Sequence, residues 1–281
     1  MPDEAPVMTM EFGVRVVIIL SATRTRIITT LTPNSIVITG ASSGIGEALA
    51  RHYASPDSVL CLISRREAGA GLPGTVVPYC VDVTDAQALG RAAADFVARF
   101  GAPDLVIANA GVGVGTRSEE LADIGKLRRV LDINVTGLAA TLAAFAPAMR
   151  AAGRGTLAGI ASVAGFRGLA GNGAYCASKA AVITWMESLR TELHGSGVSV
   201  VCICPGYIDT PMTRVNRYRM PFLLPADEAA RRIASAIAAR RRLAVVPWQM
   251  AAVSVFLRLI PGWLYDRLAA RAPRKPRDVR I

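Results

Sequence analysis

The chain has 281 residues, 52% hydrophobic and 19% charged, and its 32 Lys plus Arg against 21 Asp plus Glu give a formal net charge of +11. That is ample apolar material for a core and too much for a disordered chain, while its 25 Gly and 16 Pro follow no collagen-like or low-complexity period. Ten basic and two acidic residues put +8 of the charge into residues 240–281, and residues 1–34 balance three against three, so the body from 35 to 239 carries only +3. A nearly neutral body lacks the basic patch with stacking platforms that nucleic-acid binding needs.

In chain order, residues 1–34 read as an N-terminal extension, or as the result of a start upstream of Met8 or Met10. The apolar run from Val16 to Ala22 is short, follows acidic residues and precedes Arg24 and Arg26, which suits neither a membrane span nor an export signal. From Ser35 on, β-branched runs alternate with Ala-rich segments of helical period. The spacing predicts strands at Ser35 to Thr39, Ser58 to Ile63, Thr75 to Tyr79, Asp104 to Ala108, Gly155 to Ile160, Val198 to Ile203 and Leu243 to Val246. Helices are predicted at Gly44 to Ala54, Asp85 to Arg99, Gly173 to His194 and Ala226 to Ala239, with a helix pair covering Glu119 to Ala151. Such alternation makes one α/β domain over residues 35–246, a Rossmann-like doubly wound parallel sheet of about seven strands with helices on both faces.

Two scarcities narrow the chemistry. Only His52 and His194 are present, so a His-based triad or multi-His metal site has almost nothing to draw on, and no metal is expected. Lys is confined to Lys126, Lys179 and Lys275 against 29 Arg, so each lysine stands out in a chain that otherwise uses arginine for positive charge. The five cysteines, Cys61, Cys80, Cys176, Cys202 and Cys204, form no C-x-x-C pair, and four lie in apolar strand-like runs, as free thiols in a reducing compartment do.

The first strand runs into T-G-A-S-S-G-I-G, Thr39 to Gly46, and then into a helix. A strand, a glycine turn and a helix N-terminus make an anion site, because free backbone N–H groups and the positive end of the helix dipole face the same point. Gly40 permits the turn, Gly44 the approach of a pyrophosphate and Gly46 the packing of helix on strand. About 20 residues further on, where a carboxylate would hold a ribose 2′-hydroxyl, the chain has Ser64, Arg65 and Arg66. Two guanidiniums suit a 2′-phosphate, so NADP(H) is the preferred cofactor over NAD(H).

On the later helix, Y-C-A-S-K sets Tyr175 and Lys179 four residues apart and therefore on one face. A cation beside the phenol, joined by the charge of an oxidised nicotinamide, would lower a pKa that is ordinarily near 10. Ser162 lies 13 residues before Tyr175, just past a strand end. Carboxyl ends of strands are where such sheets place ligands.

These motifs, with V-D-V-T-D around Asp82, A-N-A-G at Ala108 to Gly111, D-I-N-V-T-G around Asn134 and P-G-Y-I-D-T from Pro205 to Thr210, resemble those of the short-chain dehydrogenase/reductase family over about Ser35 to Val246. The resemblance implies an oxidoreductase interconverting a ketone or aldehyde and an alcohol. Tyr175 would protonate the carbonyl oxygen, Ser162 would hydrogen-bond it, Lys179 would tune the tyrosine and hold the nicotinamide ribose, and Asn134 would anchor a water in a proton relay. It further implies cofactor contacts from Gly40, Ser42, Ser43, Gly44, Ile45, Gly46, Asp82, Val83, Asn109, Ala110, Gly111, Pro205, Gly206, Ile208 and Thr210, besides Arg65, Arg66, Tyr175 and Lys179. Asp82 would meet the adenine amino group, Asn109 would brace the central strand, and Ile208 and Thr210 would contact the carboxamide. A homodimer or homotetramer in the cytoplasm is the matching expectation. The rival reading is a catalytically silent NADP-binding sensor or scaffold of the same fold.

Two departures from the family pattern, Ala108 for an Asn and Ala161 for a hydroxyl residue, remove no required group. The resemblance implies that specificity comes from the loop Pro211 to Pro225, where Arg214, Arg217 and Arg219 would attract an anionic substrate or merely be solvated, and from the C-terminal segment. The substrate itself is expected to be moderately apolar. Residues 247–281 form a C-terminal extension with Trp248, Phe256, Trp263 and Tyr265 ahead of Arg267, Arg271, Arg274, Lys275, Arg277 and Arg280. It reads either as an interfacial amphipathic helix in peripheral contact with anionic lipid or as a lid or subunit contact.

Overall fold

The computed structural model describes residues 15–21, 24–30, 33–216, 218–270 and 274–277. Met8, Met10, Arg217, Arg271 and Arg280 lie outside the described residues. An antiparallel pair, β1 (Arg15–Ser21) and β2 (Arg24–Thr30), precedes the alternating segment. Then follow β3 (Ser35–Thr39), α1 (Gly44–Tyr53), β4 (Val59–Ser64), β5 (Thr75–Cys80), α2 (Ala86–Phe100) and β6 (Leu105–Ala108). α3 (Ile124–Leu131) passes through a π turn, Asp132–Thr136, directly into α4 (Gly137–Ala151). β7 (Thr156–Ile160), α5 (Gly173–Glu192), β8 (Ser199–Pro205), β9 (Ile208–Asp209), α6 (Pro211–Arg214), β10 (Leu224–Pro225), α7 (Ala226–Ala238), β11 (Leu243–Val246), α8 (Trp248–Leu259) and α9 (Gly262–Ala269) complete the chain.

Seven strands form one all-parallel sheet in the order β11-β8-β7-β6-β3-β4-β5. Chain order runs one way from β3 to β5 and the other way from β6 to β11, so the strand order reverses between β3 and β6. That reversal is the switch point where doubly wound sheets open a crevice at the carboxyl ends of their strands. The seven strands match the predicted ones to within two residues, because the central ones are short apolar runs, as burial on both faces demands.

Alternation along β3 shows how the two faces fill. Val37 joins Phe96, Leu142, Phe145, Met149 and Met186 under α2, α4 and α5. Ile36 and Ile38 pack with Leu49, Ile107 and Ile233 under α1 and α7. The predicted helix pair is one continuous run, 121–151, long and apolar enough to cross a membrane by length and composition. Here it serves as a core helix, for Leu138, Leu142, Phe145 and Met149 are buried among sheet residues. The predicted loop 211–225 contains a short helix and closes with β10 pairing parallel to β9. Cys61, Cys176, Cys202 and Cys204 are buried free thiols, whereas Cys80, on edge strand β5, is exposed.

Phe145 is fully buried and meets Phe96 edge to face, with ring centroids 6.3 Å apart. Phe145→Ala removes that pair and leaves a cavity beneath the sheet. It should cost about 3–5 kcal/mol, read as a lower midpoint in urea with an unchanged m-value.

Candidate active site

Two hydrogen-bonded strand ends form the floor of the crevice. Thr39 Oγ1 accepts from the backbone N–H groups of Asn109 at 3.1 Å and Ala110 at 3.2 Å. Asn109 Nδ2 donates back to the Thr39 carbonyl at 3.0 Å. Asn109 thus ties the ends of β3 and β6 together, with Thr39 as the partner that the motif contained but sequence reasoning did not single out.

On one side of this floor the glycine turn enters α1. Gly40 has φ +67°, and a Cβ there would sit 2.8 Å from the Ala110 Cα. A Cβ on Gly46 would collide with the Gly40 carbonyl and with Asn109 Nδ2. Both positions need glycine, one for conformation and the other for close approach. The N-cap residue Ser43 makes no side-chain capping bond. The first N–H groups of α1 are thus left to serve an anion.

A cavity of about 250 Å³ runs from this turn across the switch point. Gly40, Ser42, Ser43, Gly44, Ile45, Arg65, Arg66, Asp82, Val83, Asn109, Ala110, Gly111, Ser162, Tyr175, Lys179, Pro205, Gly206, Ile208 and Thr210 all line it, so all of the predicted site residues but Gly46 and Asn134 share one surface. Asn134 does not line it, and sits fully buried behind Gly111. Arg65 and Arg66 are exposed at the rim, with the Arg66 guanidinium 3.5 Å from Ser42 Oγ of the turn. Asp82 accepts from the backbone N–H and hydroxyl of Thr84 at 3.0 and 2.8 Å and pairs with Arg129 at 3.4 Å. Desolvation pushes its carboxyl up, but the Thr84 bonds and Arg129 prevail and hold it below the usual value.

At the other end, Lys179 is 3% exposed and donates to the Ile160 carbonyl at 2.8 Å. Desolvation lowers its pKa to about 8. Its ammonium lies 5.8 Å from the centroid of the Tyr175 ring. Sequence reasoning expects this cation to depress the phenol. Instead burial raises the Tyr175 pKa above its ordinary value, and a hydrogen bond with Ser162 offsets only part of the rise. Removal of the phenolate from water is the dominant cause.

Asn134 sits in the π turn, where its Oδ1 accepts from Val112 N at 2.8 Å and its Nδ2 donates to Val112 O at 2.9 Å and to Ser178 Oγ at 3.0 Å. A Cβ built on Gly111 would lie 3.2 Å from Asn134 Oδ1 and 3.5 Å from Lys179 Nζ, so the amide and the ammonium flank one glycine. Ser178 was legible in Y-C-A-S-K, three residues after Tyr175, as a hydroxyl on the helix face that meets the π turn.

A second cavity of about 220 Å³ adjoins the first at Ser162 and Tyr175. Phe166, Leu169, Met250, Val253 and Leu257 make it apolar, and Asn172, Tyr207, Asn216 and Tyr218 add polar groups. Sequence reasoning missed these four, although Tyr207 stands within P-G-Y. Arg214 is bound to Asp209 at 2.7 Å and lines neither cavity. Of the two readings left open by the loop sequence, the solvated one fits Arg214.

Comparison with known proteins agrees with this geometry. The family model described as short chain dehydrogenase matches residues 34–220. An uncharacterized oxidoreductase of Myxococcus xanthus is 40% identical over 243 residues, 84% of this chain and 96% of that protein. The ketoacyl reductase HetN of Nostoc is 32% identical over 207 residues, 69% of this chain and 71% of that protein. The L-sorbose reductase of Gluconobacter frateurii, solved with NADPH and L-sorbose, superposes with a TM-score of 0.67 at 25% identity, covering 76% of this chain and 94% of that one. With a glycine turn for a dinucleotide at one end of its cavity and a half-buried tyrosine beside a buried lysine at the other, this chain belongs to the short-chain dehydrogenase/reductase family of NAD(P)-dependent oxidoreductases.

Proposed function

We propose that the protein is an NADP(H)-dependent reductase that interconverts a ketone or aldehyde with the corresponding alcohol. The observation that carries this reading is the continuity of one cavity from Arg65, Arg66 and the glycine turn to Ser162, Tyr175 and Lys179. When bound, the nicotinamide supplies or accepts the hydride at the substrate carbon. The chain's own residues manage the oxygen and its proton. Ser162 donates a hydrogen bond to the carbonyl oxygen, and the Tyr175 O–H bond breaks as the product O–H bond forms. A phenol held above its ordinary pKa is fully protonated near neutrality, which suits it to act as the acid in reduction. Lys179, whose pKa of about 8 lets it exchange protons near neutral pH, restores the tyrosine proton. Asn134 fixes the backbone at Val112 behind this pair and orders the route to solvent. Positioning of carbonyl, hydride and phenol supplies most of the rate.

Arg65 and Arg66 hold the 2′-phosphate, Asp82 the adenine amino group, and Ile208 and Thr210 the carboxamide. The protein works as a homo-oligomer in the cytoplasm, against a membrane surface. What supports the membrane contact is the outer face of α8 and α9, where Trp248, Phe256, Leu259, Trp263 and Leu268 are 57–76% exposed and Arg258 and Arg267 stand exposed among them. Several large exposed apolar side chains with arginines between them suit an anionic lipid interface.

Tyr175→Phe should lower kcat for NADPH-dependent carbonyl reduction by about 10²–10⁴-fold with little change in NADPH affinity. Retained turnover would overturn the mechanism, and turnover absent from the wild type across a carbonyl panel would favour the sensor or scaffold reading. Replacing Arg65 and Arg66 by Ala should raise KM for NADPH about tenfold or more while leaving KM for NADH nearly unchanged; equal effects on both would remove the 2′-phosphate assignment. Phe256→Ser with Trp263→Ser should abolish flotation with anionic liposomes at an unchanged rate of NADPH oxidation. If flotation persists and the oligomer dissociates instead, that face belongs to a second copy of the chain.

A further inference from the structure

The C-terminal residues return to the reaction centre. Residues 274–277 lie as a strap across the strand-to-helix segment that follows β6. Gly115 N donates to the Pro276 carbonyl at 2.9 Å, and Lys126 Nζ donates to the Arg277 carbonyl at 3.2 Å. Arg277 also meets Asp123 at 3.0 Å, and Asp123 is a 3% exposed carboxylate bound by Lys126 as well. The strap fits so closely that a Cβ on Gly115 would overlap the Lys275 carbonyl, and one on Gly171 would come 2.8 Å from Arg274 Cβ.

This anchoring delivers the Lys275 side chain to the inside. Its ammonium lies 5.6 Å from the centroid of the Tyr175 ring, and it lines the second cavity. No Asp or Glu lines that cavity among the described residues. The other cation there, Arg167, is committed: it donates to the Leu257 and Ile260 carbonyls and stacks 3.8 Å over the Tyr265 ring. Among the described residues the Lys275 ammonium has no hydrogen-bond or ion-pair partner, and desolvation alone lowers its pKa to about 8. Asn172 Oδ1 and Asn216 Oδ1 in the same lining are buried without a hydrogen-bond partner. A partly buried cation facing no counter-charge costs desolvation energy that an arriving anion would offset.

Resting on the proposed reductase reading, we infer that Lys275 is the specificity residue of the site and that the substrate is an oxo acid. Its apolar body fills the second cavity, and its carboxylate pairs with the Lys275 ammonium. The arrangement explains why a chain so short of lysine places one at this point. A point charge on a flexible stem can follow carboxylates at different distances from the carbonyl, whereas a planar guanidinium demands a fixed fork.

The test uses the full chain with NADPH and three matched pairs: benzoylformate, benzoylacetate and benzoylpropionate, each against its methyl ester. For the acid whose spacer fits, the wild type should favour the acid over the ester. Lys275→Met should cut that acid-to-ester ratio of kcat/KM by about 10–100-fold through KM, and Lys275→Arg should restore part of it. Gly115→Val, which displaces the strap without touching the cavity, should reproduce the loss. A wild type with no preference for any acid, or a ratio unchanged in Lys275→Met, would overturn the inference. Should the wild type reduce none of the six, the reductase reading falls separately. Quenching of tryptophan fluorescence by benzoylpropionate then decides the anion site, with weaker binding to Lys275→Met supporting it and equal binding overturning it.

Discussion

Everything in the site hangs on the clamp between Thr39 and Asn109. These residues end the two strands between which the sheet reverses its order, and each donates to or accepts from the other's backbone. The glycine turn leaves from one of them and the Ala110–Gly111 segment from the other. A shift at the clamp would move both walls of the cofactor cavity at once. The close approaches at Gly40 and Gly46 follow from the same constraint, since Ala110 and the Asn109 amide occupy the space that a Cβ would need. Packing is what makes the clamp rigid, because Ile36, Val37, Ile38 and Ile107 bury both faces of these two strands.

Burial then sets the electrostatics. Tyr175 and Lys179 are both pushed toward their neutral forms, the phenol upward and the ammonium to about 8. Their roles therefore depend on specific hydrogen bonds more than on mutual attraction. The Ile160 carbonyl holds the ammonium, Ser162 holds the phenol, and Asn134 locks the backbone beside them. The π turn is what brings Asn134 there: one extra residue in the helix rotates its side chain out of the α register and toward Val112 and Ser178.

The seven strands, the order-defining motifs and most of the lining of the first cavity were legible in the sequence, because buried parallel strands and glycine turns tolerate few residue types. The π turn was not, for D-I-N-V-T has no composition that separates it from an α-helix. Nor were the hairpin of β1 and β2 or the return of the tail. The strap 274–277 has no periodicity, and its partners Gly115, Asp123 and Lys126 lie some 150 residues away, so nothing local signals the contact. Arg214 shows the converse case. Its charge was legible, but its pairing with Asp209 depended on the turn that α6 makes.

The basic tail changes meaning once its path is known. A net +8 after residue 239 suggests a diffuse field for a lipid surface, and the exposed face of α8 and α9 keeps that suggestion alive. Within the strap, however, the charges are individually assigned. Arg277 joins Asp123, Arg274 lies over Gly171, and Lys275 points into a cavity that holds no carboxylate among its described lining. A charge that is anchored on both sides and aimed at a reacting tyrosine acts by position, and salt should screen it far less than an exposed one. The proposed membrane contact and the proposed substrate contact of one tail are thus separable by ionic strength: the first should weaken steeply with added salt, and the second should persist.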